Sequence, residues 1–218
     1  MKTIPTANPT FVVTDINLHA FYTYNYDISY YKMKIIALYD NYEPQQFDGK
    51  VYLMADSSLA KSGKPWFLHE FAPEFTYQTH IVIRIGRLGK NIARRFAHRY
   101  VDAVTVGATV TACGIADNAI AKAFDGAAMI GDFLPIEQIS DINEINATLT
   151  NGDIVTTYQS SQMACHIDEI IEYVSKYFTL KIGDIIYTGF GDSSTPLAIG
   201  QHLTGSINGE NVLDIKIK

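Results

Sequence analysis

The chain has 218 residues, 47% of them hydrophobic, which is enough for one domain with a substantial core. Its formal net charge of -6, from 17 basic and 23 acidic residues, disfavours nucleic acid and anionic membranes as partners, and no apolar run approaches the roughly 20 residues that span a bilayer. Two cysteines, Cys113 and Cys165, and an N-terminus without a secretory signal favour a cytoplasmic protein with buried thiols over a disulfide framework.

Residues 1–32 form a segment of unusual composition. Five tyrosines lie there among many Asn, Thr and Ile residues, namely Tyr22, Tyr24, Tyr26, Tyr30 and Tyr31. Two interpretations are open: an added strand or arm that covers an oligomer surface, or upstream sequence translated from a wrongly assigned start, with Met33 as the true first residue. We therefore predict an N-terminal extension of residues 1–32 and a domain of residues 33–218.

Strands dominate the rest of the chain. The clearest run is 77–86, in which small or apolar residues at odd positions alternate with polar or charged ones at most even positions, so Gln78 and His80 share a face. Asn208-Gly209 and Gly63-Lys64-Pro65 are typical of turns. The other runs with strand character lie at about residues 34–38, 50–54, 103–112, 127–130, 154–159, 184–187, 202–207 and 212–217.

Two helices are predicted. Asn91 caps the first, whose apolar stripe includes Ile92, Phe96 and Tyr100. The second carries apolar residues at the helical spacing i, i+3, i+4 and i+7, which are Ile167, Ile170, Ile171 and Val174. Strands with few helices and no linker predict one α+β domain.

Three segments resemble the core pattern of the fumarylacetoacetate hydrolase family. That pattern runs Tyr-Glu-x-Glu-Leu before an Ile-Gly turn, then Asp-x-x-Ala-Arg-Asp, then Lys-x-Phe-Asp-Gly; the matching segments here are 77–81, 109–114 and 122–126. Residues 173–189 match Ser-x-x-x-Thr-Leu-x-x-Gly-Asp-x-Ile-x-Thr-Gly, so the resemblance covers about residues 33–218. It implies a mixed β-roll with a few short helices, and the family's habit of pairing implies a homodimer.

The resemblance also implies a metal site whose ligands have been replaced. In the family two glutamates and the first aspartate bind magnesium or another divalent ion, and the matching positions here are Gln78, His80 and Thr109. These side chains offer neutral oxygens and a nitrogen where the ion would meet three carboxylates, so most of the Coulombic attraction is gone. We expect no metal cofactor, since a lone histidine on a strand is more often a structural residue than a zinc ligand.

Lys122 is the retained residue with the strongest functional claim, because the matching lysine of the family faces the bound acid. A buried lysine needs a partner, and Asp125 or a bound small acid would serve. The other interpretation is that Lys122 is kept by ancestry, while Asp125 and Gly126 fix a turn. The substrate-binding residues that the resemblance implies are Lys122, Asp125, Gly126, Thr188 and Gly189.

The departures from the family pattern coincide with its catalytic parts. The family's lid, with a His and Glu pair that activates water, is replaced by Glu43-Pro44-Gln45-Gln46, and the substrate-contacting loop between Cys113 and Lys122 is short. We therefore interpret the chain as a degenerate member, a pseudoenzyme that pairs with an active homologue or holds a small organic acid. The alternative is a divergent hydrolase, decarboxylase or tautomerase for a small keto acid or acyl-pyruvate-like substrate, with His80 as general base and Lys122 as electrostatic stabiliser.

Overall fold

The computed structural model describes residues 33–42, 47–189 and 195–218, and the expectations for residues 1–32, 43–46 and 190–194 lie outside them. None of the helices in this described part has the length and apolarity that a membrane crossing requires. The helices are α1 (Asn118–Ala123) and α2 (Ile167–Tyr177), with 3₁₀ turns at Asp56–Ser58, Arg94–Arg99, Ile136–Gln138 and Ser160–Gln162. The strands are β1 (Ile35–Leu38), β2 (Val51–Met54), β3 (Leu59–Lys61), β4 (Glu74–Ile85), β5 (Val101–Cys113), β6 (Ala128–Ile130), β7 (Leu134–Pro135), β8 (Asn146–Asn151), β9 (Ile154–Gln159), β10 (Ile185–Tyr187), β11 (Thr195–Leu197), β12 (His202–Ile207) and β13 (Glu210–Lys216).

The larger sheet has the strand order β2-β1-β10-β4-β5-β6-β3, with β11 along β4 and β7 along β5. It is mixed, because β1 pairs with β10 and β3 with β6 in parallel while the other neighbours are antiparallel. This arrangement confirms the predicted α+β class. In the long β4–β5 pair Gln78 lies opposite Thr109 and His80 opposite Gly107. Since directly opposite residues share a face, Gln78, His80 and Thr109 lie on one face of the sheet.

The two faces of this sheet bury different sets of residues. Phe75, Tyr77 and Ile81 of β4 belong to the main hydrophobic core. Val82 and Tyr187, on the face that carries His80, belong to a smaller apolar cluster with β1 and β6. Burial of each such side chain contributes about 1.5–3 kcal/mol, so the candidate site is packed against apolar residues.

The second sheet is antiparallel, with the order β13-β12-β8-β9. Its β12–β13 hairpin turns at Asn208-Gly209, where both residues have positive φ (49° and 87°), as a type I′ turn requires, and the predicted turn is confirmed. The β8–β9 hairpin turns at Gly152-Asp153 with Gly152 at φ 60°, which suits a type II′ turn.

The predicted helix of residues 167–177 is confirmed as α2, with its apolar residues buried. Glu169 accepts the backbone N–H of His166 at 2.9 Å, which satisfies one donor at the helix start.

The first predicted helix is wrong in two respects, namely the kind of helix and the residue that caps it. Residues Arg94–Arg99 form a 3₁₀ turn, and Asn91, at φ 50°, lies outside it. Phe96 is 39% exposed, with the guanidiniums of Arg95 and Arg99 at 4.7 Å and 5.1 Å from its ring. The reason is tertiary: the backbone N–H of Asn91 donates to the backbone carbonyl of Ser175 in α2, which fixes the chain just before the turn.

Asp184 fastens the start of β10 to β1. Its fully buried carboxylate accepts the backbone N–H groups of Lys34 and Lys181, each at 2.7 Å, and pairs with the Lys34 ammonium at 2.5 Å. A buried carboxylate with these partners is a structural feature that sets the position of β10 beside β1.

Candidate functional site

His80 is fully buried and both nitrogens of its ring are engaged. Nε2 lies 2.8 Å from Thr109 Oγ1, and Nδ1 lies 3.1 Å from the backbone nitrogen of Gly189. A backbone N–H only donates, so Nδ1 accepts, and Nε2 carries the proton that is donated to Thr109. The Tyr187 ring packs edge-on against the imidazole at 5.4 Å between centroids.

The environment of His80 keeps its ring neutral. Burial is the main cause and the positive charge of Lys122 a second one, and together they lower the pKa of His80 to about 3. At neutral pH this imidazole is therefore a hydrogen-bonding group without charge.

Thr109 extends the hydrogen bonds of His80 to a third strand. Its side chain is hydrogen-bonded to Tyr52 of β2, and burial raises the pKa of the Tyr52 hydroxyl above its usual range. Tyr52, Thr109, His80 and Gly189 thus form a chain of neutral groups from β2 through β5 and β4 to the end of β10; we call it the neutral chain. Gln78 is half-buried opposite Thr109.

The side chains at the three matched positions do not fit magnesium or manganese. Such cations prefer anionic oxygens, whereas Gln78 is a neutral amide and the Thr109 hydroxyl is already hydrogen-bonded. The Nδ1 lone pair of His80 accepts the Gly189 N–H. Elsewhere in the described residues no group of three His, Cys, Asp or Glu side chains is arranged for a metal ion.

α1 positions Lys122 on the same face of the sheet. The Asp117 carboxylate caps this helix by accepting the N–H groups of Ala119 and Ile120, at 2.8 Å and 3.1 Å. Sequence reasoning missed α1, because its six residues are too few for a helical period to be visible.

The ammonium of Lys122 lies among hydroxyl and aromatic groups. Nζ donates to Thr111 Oγ1 at 3.0 Å and lies 5.2 Å and 5.7 Å from the ring centroids of Tyr39 and Tyr52. Burial lowers its pKa, and the more distant Asp40 and Cys113 oppose that shift. Within the described ranges no carboxylate forms an ion pair with Lys122.

Asp125 and Gly126 form the turn after α1. Asp125 is exposed, and the carbonyl of Gly126 accepts the Trp66 indole N–H at 2.9 Å. Gly126 has φ 86°, and a Cβ there would lie 3.0 Å from the indole nitrogen. The turn is therefore fastened to Trp66, while the polar contact of Lys122 is to Thr111.

Thr188 and Gly189 connect the end of β10 to neighbouring strands. The Thr188 hydroxyl donates to the Ile81 carbonyl at 2.8 Å, and its carbonyl accepts the Asn41 side-chain amide at 2.9 Å. A Cβ at Gly189 would lie 2.5 Å from the Tyr39 carbonyl oxygen, so the close approach requires glycine. Gly189 is the last member of the neutral chain and Thr188 lies next to it, and the polar groups named here are already hydrogen-bonded.

Cys165 is unsuited to nucleophilic catalysis. Its thiol is free, and burial raises its pKa to about 12, so the thiolate is scarce at neutral pH.

A cleft of about 900 Å³ opens beside the Lys122 site, and sequence reasoning missed it. Tyr39 links the two, because it contacts Lys122 and also lines the cleft. Asn118, which lines the cleft, lies one helical turn before Lys122 in α1. The described lining residues are Tyr39, Asp40, Gly49, Lys50, Val51, Asn118, Tyr173, Tyr177 and Phe178.

Comparisons with known proteins agree with the resemblance seen in the sequence. The family described as fumarylacetoacetate (FAA) hydrolase C-terminal matches residues 24–213, a range that begins before the boundary predicted at Met33. The chain is 25% identical over 170 residues to maleylpyruvate hydrolase of Aquipseudomonas alcaligenes, covering 77% of this chain but 59% of that protein. It is 25% identical over 177 residues to the mitochondrial oxaloacetate tautomerase FAHD1 of Mus musculus, covering 77% and 80% of the two chains.

A solved structure shares the fold. Fumarylpyruvate hydrolase from Pseudomonas aeruginosa, in complex with Mn²⁺ and pyruvate, superimposes with a TM-score of 0.76 at 20% identity, covering 84% of this chain and 88% of the other. This likeness confirms the predicted mixed β-roll. Together with the family match over most of the sequence, it leads to one conclusion: the chain belongs to the fumarylacetoacetate hydrolase family.

Proposed function

We propose that this protein is a metal-independent member of its family, without the metal-dependent reaction, that acts as a binding or assembly module. The observation that carries the proposal is the neutral chain. At the positions matched to metal ligands, His80 and Thr109 are hydrogen-bonded to each other and to Tyr52 and Gly189. Each of these groups is satisfied by another group of the protein, so none requires a cation.

Binding a divalent ion here would cost free energy on several counts. If the ion took the Nδ1 lone pair of His80, the buried N–H of Gly189 would lose its acceptor, at about 1–3 kcal/mol. The ion would also approach the charge of Lys122, which already acts on His80. Without a carboxylate at Gln78, His80 or Thr109, no Coulombic gain offsets these costs.

The same geometry disfavours His80 as a general base. A base with a pKa of about 3 is weak at neutral pH, and its acceptor nitrogen is occupied by Gly189. This supports the module over the version of the enzyme hypothesis that uses His80.

Lys122 is the group in this region that we propose meets a ligand. Its ammonium is half-buried, hydrogen-bonded to the Thr111 hydroxyl and without a carboxylate ion pair in the described residues. A small organic acid would supply the missing negative charge, and the relatives named above act on or bind such compounds by name, including maleylpyruvate, oxaloacetate and pyruvate.

A second candidate is a metal-free enzyme, such as a tautomerase, for a small keto acid. The observation that favours it is the lowered pKa of Lys122, because a lysine that is more easily deprotonated can exchange a proton with an enolisable ketone. A hydrolase or a decarboxylase that uses Lys122 in the same way belongs to this second candidate.

One experiment separates these possibilities. The purified full chain is assayed with oxaloacetate and with an acyl-pyruvate, with Mn²⁺ or with EDTA, and its melting temperature is measured with pyruvate or oxaloacetate. We expect no turnover in either condition, together with a rise in melting temperature that Lys122→Met abolishes. Metal-free turnover lost in Lys122→Met would favour the second candidate, and turnover that requires Mn²⁺ would overturn the proposal.

The remaining expectations accompany this proposal. We propose a homodimer, association with an active homologue as a further partner, and a location in the cytoplasm. The family's habit of pairing supports the first, and a cysteine content too low for a disulfide framework supports the last.

A further inference from the structure

Basic residues are concentrated at the end of the larger sheet where β4 ends and β5 and β10 begin. Seven of the 17 Lys and Arg residues lie in two segments, 86–100 and 176–183, and neither segment contains an Asp or a Glu. The net charge of -6, which disfavours anionic partners for the chain as a whole, therefore does not describe this region. The seven residues are Arg87, Lys90, Arg94, Arg95, Arg99, Lys176 and Lys181.

Backbone hydrogen bonds hold the two segments side by side. The N–H of Gly89 donates to the Leu180 carbonyl at 2.9 Å, and the N–H of Leu180 donates back to the Gly89 carbonyl at 2.8 Å. At the other side the N–H of Gly183 donates to the Ile85 carbonyl at 2.8 Å. The residues between these two attachments are therefore neighbours.

Those neighbours are two exposed aliphatic side chains, each next to a cation. Leu88 is 67% exposed and Ile182 is 68% exposed. Arg87 and Lys181, which precede them in the sequence, are exposed as well. Because hydrogen bonds fix the backbone on both sides, the exposure of the aliphatic residues is a property of the fold. We call the following residues the basic tip: Arg87, Leu88, Lys90, Lys176, Lys181 and Ile182.

The cations in these two segments are mostly not neutralised by the protein. Lys90 Nζ donates to the Lys176 backbone carbonyl at 3.0 Å, which places these two exposed lysines beside each other. Arg94 is paired with Asp168 and Glu169 of α2. Within the described part of the chain the other six basic residues form no ion pair, so their charge is available to an anionic partner.

We infer that the basic tip docks the protein on an anionic lipid surface. Leu88 and Ile182 enter the boundary between headgroups and acyl chains, and the surrounding cations lie among the lipid phosphates. Aliphatic side chains gain by leaving water, and each Lys or Arg near a phosphatidylserine-rich surface tightens binding by about fivefold. The inference goes beyond the function proposed above, because neither Lys122 nor the neutral chain takes part.

The chemistry of the two segments favours lipid over nucleic acid. Proteins that bind single-stranded nucleic acid stack bases on free aromatic rings, whereas the side chains that protrude from the tip are aliphatic. The Phe96 ring is already contacted by the guanidiniums of Arg95 and Arg99, and the Tyr177 ring packs against Tyr173 at 5.3 Å between centroids. Exposed aliphatic residues flanked by Lys and Arg are typical of a site for a membrane surface.

Vesicle co-sedimentation tests the role of the cations. The purified full chain is mixed with vesicles of phosphatidylcholine, either alone or with about 30% phosphatidylserine. We expect binding to the anionic vesicles only, and weaker binding as salt is raised. Arg87→Gln/Lys181→Gln should weaken this binding by about 25-fold, the product of two fivefold effects. The matched control is Lys64→Gln/Lys216→Gln, which removes the same charge from exposed lysines outside the two segments and should bind as the native chain does.

A second pair of variants tests the aliphatic residues without changing the charge. Leu88→Ser/Ile182→Ser should weaken binding to the anionic vesicles by about tenfold or more, because the hydroxyls gain little by leaving water. Val155→Ser/Ile199→Ser is the control, at residues that are 62% and 69% exposed in the native chain, and should leave binding unchanged. Circular dichroism confirms that each variant is folded.

Three results with vesicles would overturn the inference: no binding to either kind of vesicle, equal binding to both kinds, or the same loss of binding in a control as in its test variant. Polyuridylate RNA is the probe for the other class of partner. Binding of this RNA at lower protein concentrations than the anionic vesicles require, unchanged in Leu88→Ser/Ile182→Ser, would also overturn it and would identify the tip as a nucleic-acid site.

Discussion

His80 and Thr109 are diagonal neighbours on the adjacent strands β4 and β5, and a hydrogen bond of 2.8 Å joins their side chains. The family resemblance places a glutamate and an aspartate at these two positions. Two carboxylates so close repel each other unless a cation or a proton lies between them, whereas an imidazole N–H and a hydroxyl attract each other directly. This attraction is the physical basis of the proposed metal independence.

Removal of the His80 ring should destabilise the fold. His80→Ala leaves the Gly189 N–H and the Thr109 hydroxyl without their partner in a buried site, so we expect a loss of about 2–4 kcal/mol in the free energy of unfolding. Urea denaturation followed by circular dichroism measures it. His202→Ala, at an exposed histidine, is the control, with an expected change within about 0.5 kcal/mol. A loss below about 1 kcal/mol for His80→Ala would mean that the neutral chain is not a stabilising element.

His80 should also make stability depend on pH. Its pKa is about 3 in the folded protein against 6.5 as the ordinary value, so between these values the unfolded chain binds the extra proton. The stability that the neutral ring contributes is fully present above pH 6.5 and is lost as the pH falls toward 3, with a slope of up to about 1.4 kcal/mol per pH unit. The measurement is the urea midpoint at several pH values, in the native chain and in His80→Ala. Identical slopes would contradict the expected shift.

Lys122 should contribute to binding more than to stability. Burial penalises its charge, and the carboxylate of Asp40 offsets that penalty only in part, so Lys122→Met should leave the melting temperature unchanged or raise it by a few degrees. Differential scanning fluorimetry measures the change. Lys176→Met, at an exposed lysine of α2, is the control. A drop of about 10 °C or more would show that the ammonium is a structural group.

Asp184 should be a structural carboxylate. Asp184→Asn turns one acceptor oxygen into a donor that faces the backbone N–H of either Lys34 or Lys181, so we expect a loss of about 2–4 kcal/mol in the free energy of unfolding. Urea denaturation checks the value against Asp125→Asn, at an exposed turn. Equal free energies of unfolding for the two variants would contradict a structural role of Asp184.

Much of the fold could be predicted because its elements carry strong local patterns. The period-2 alternation of β4 and the apolar spacing of α2 were both visible in the sequence. β9 and β12 have the predicted bounds, Ile154–Gln159 and His202–Ile207. The turn Arg94–Arg99 was mistaken for a helix because its backbone follows contacts with α2, which no local pattern records.

The candidate site was only partly visible in the sequence. The resemblance located Gln78, His80, Thr109 and Lys122 as a group, because they follow a linear motif. Tyr39 and Tyr52, which surround the Lys122 ammonium, were missed. They come from two other strands, β2 and the end of β1, and meet α1 only through the pairing of the sheet.

Direct titration of the native chain with Mn²⁺ tests the metal independence most directly. Free Mn²⁺ is followed by electron paramagnetic resonance at neutral pH, with Thr109→Ala as the matched variant. We expect no saturable binding in either protein, because the matched side chains are neutral and the hydrogen bonds of His80 and Thr109 are already made within the protein. One tightly bound Mn²⁺ per native chain, lost in Thr109→Ala, would contradict this expectation.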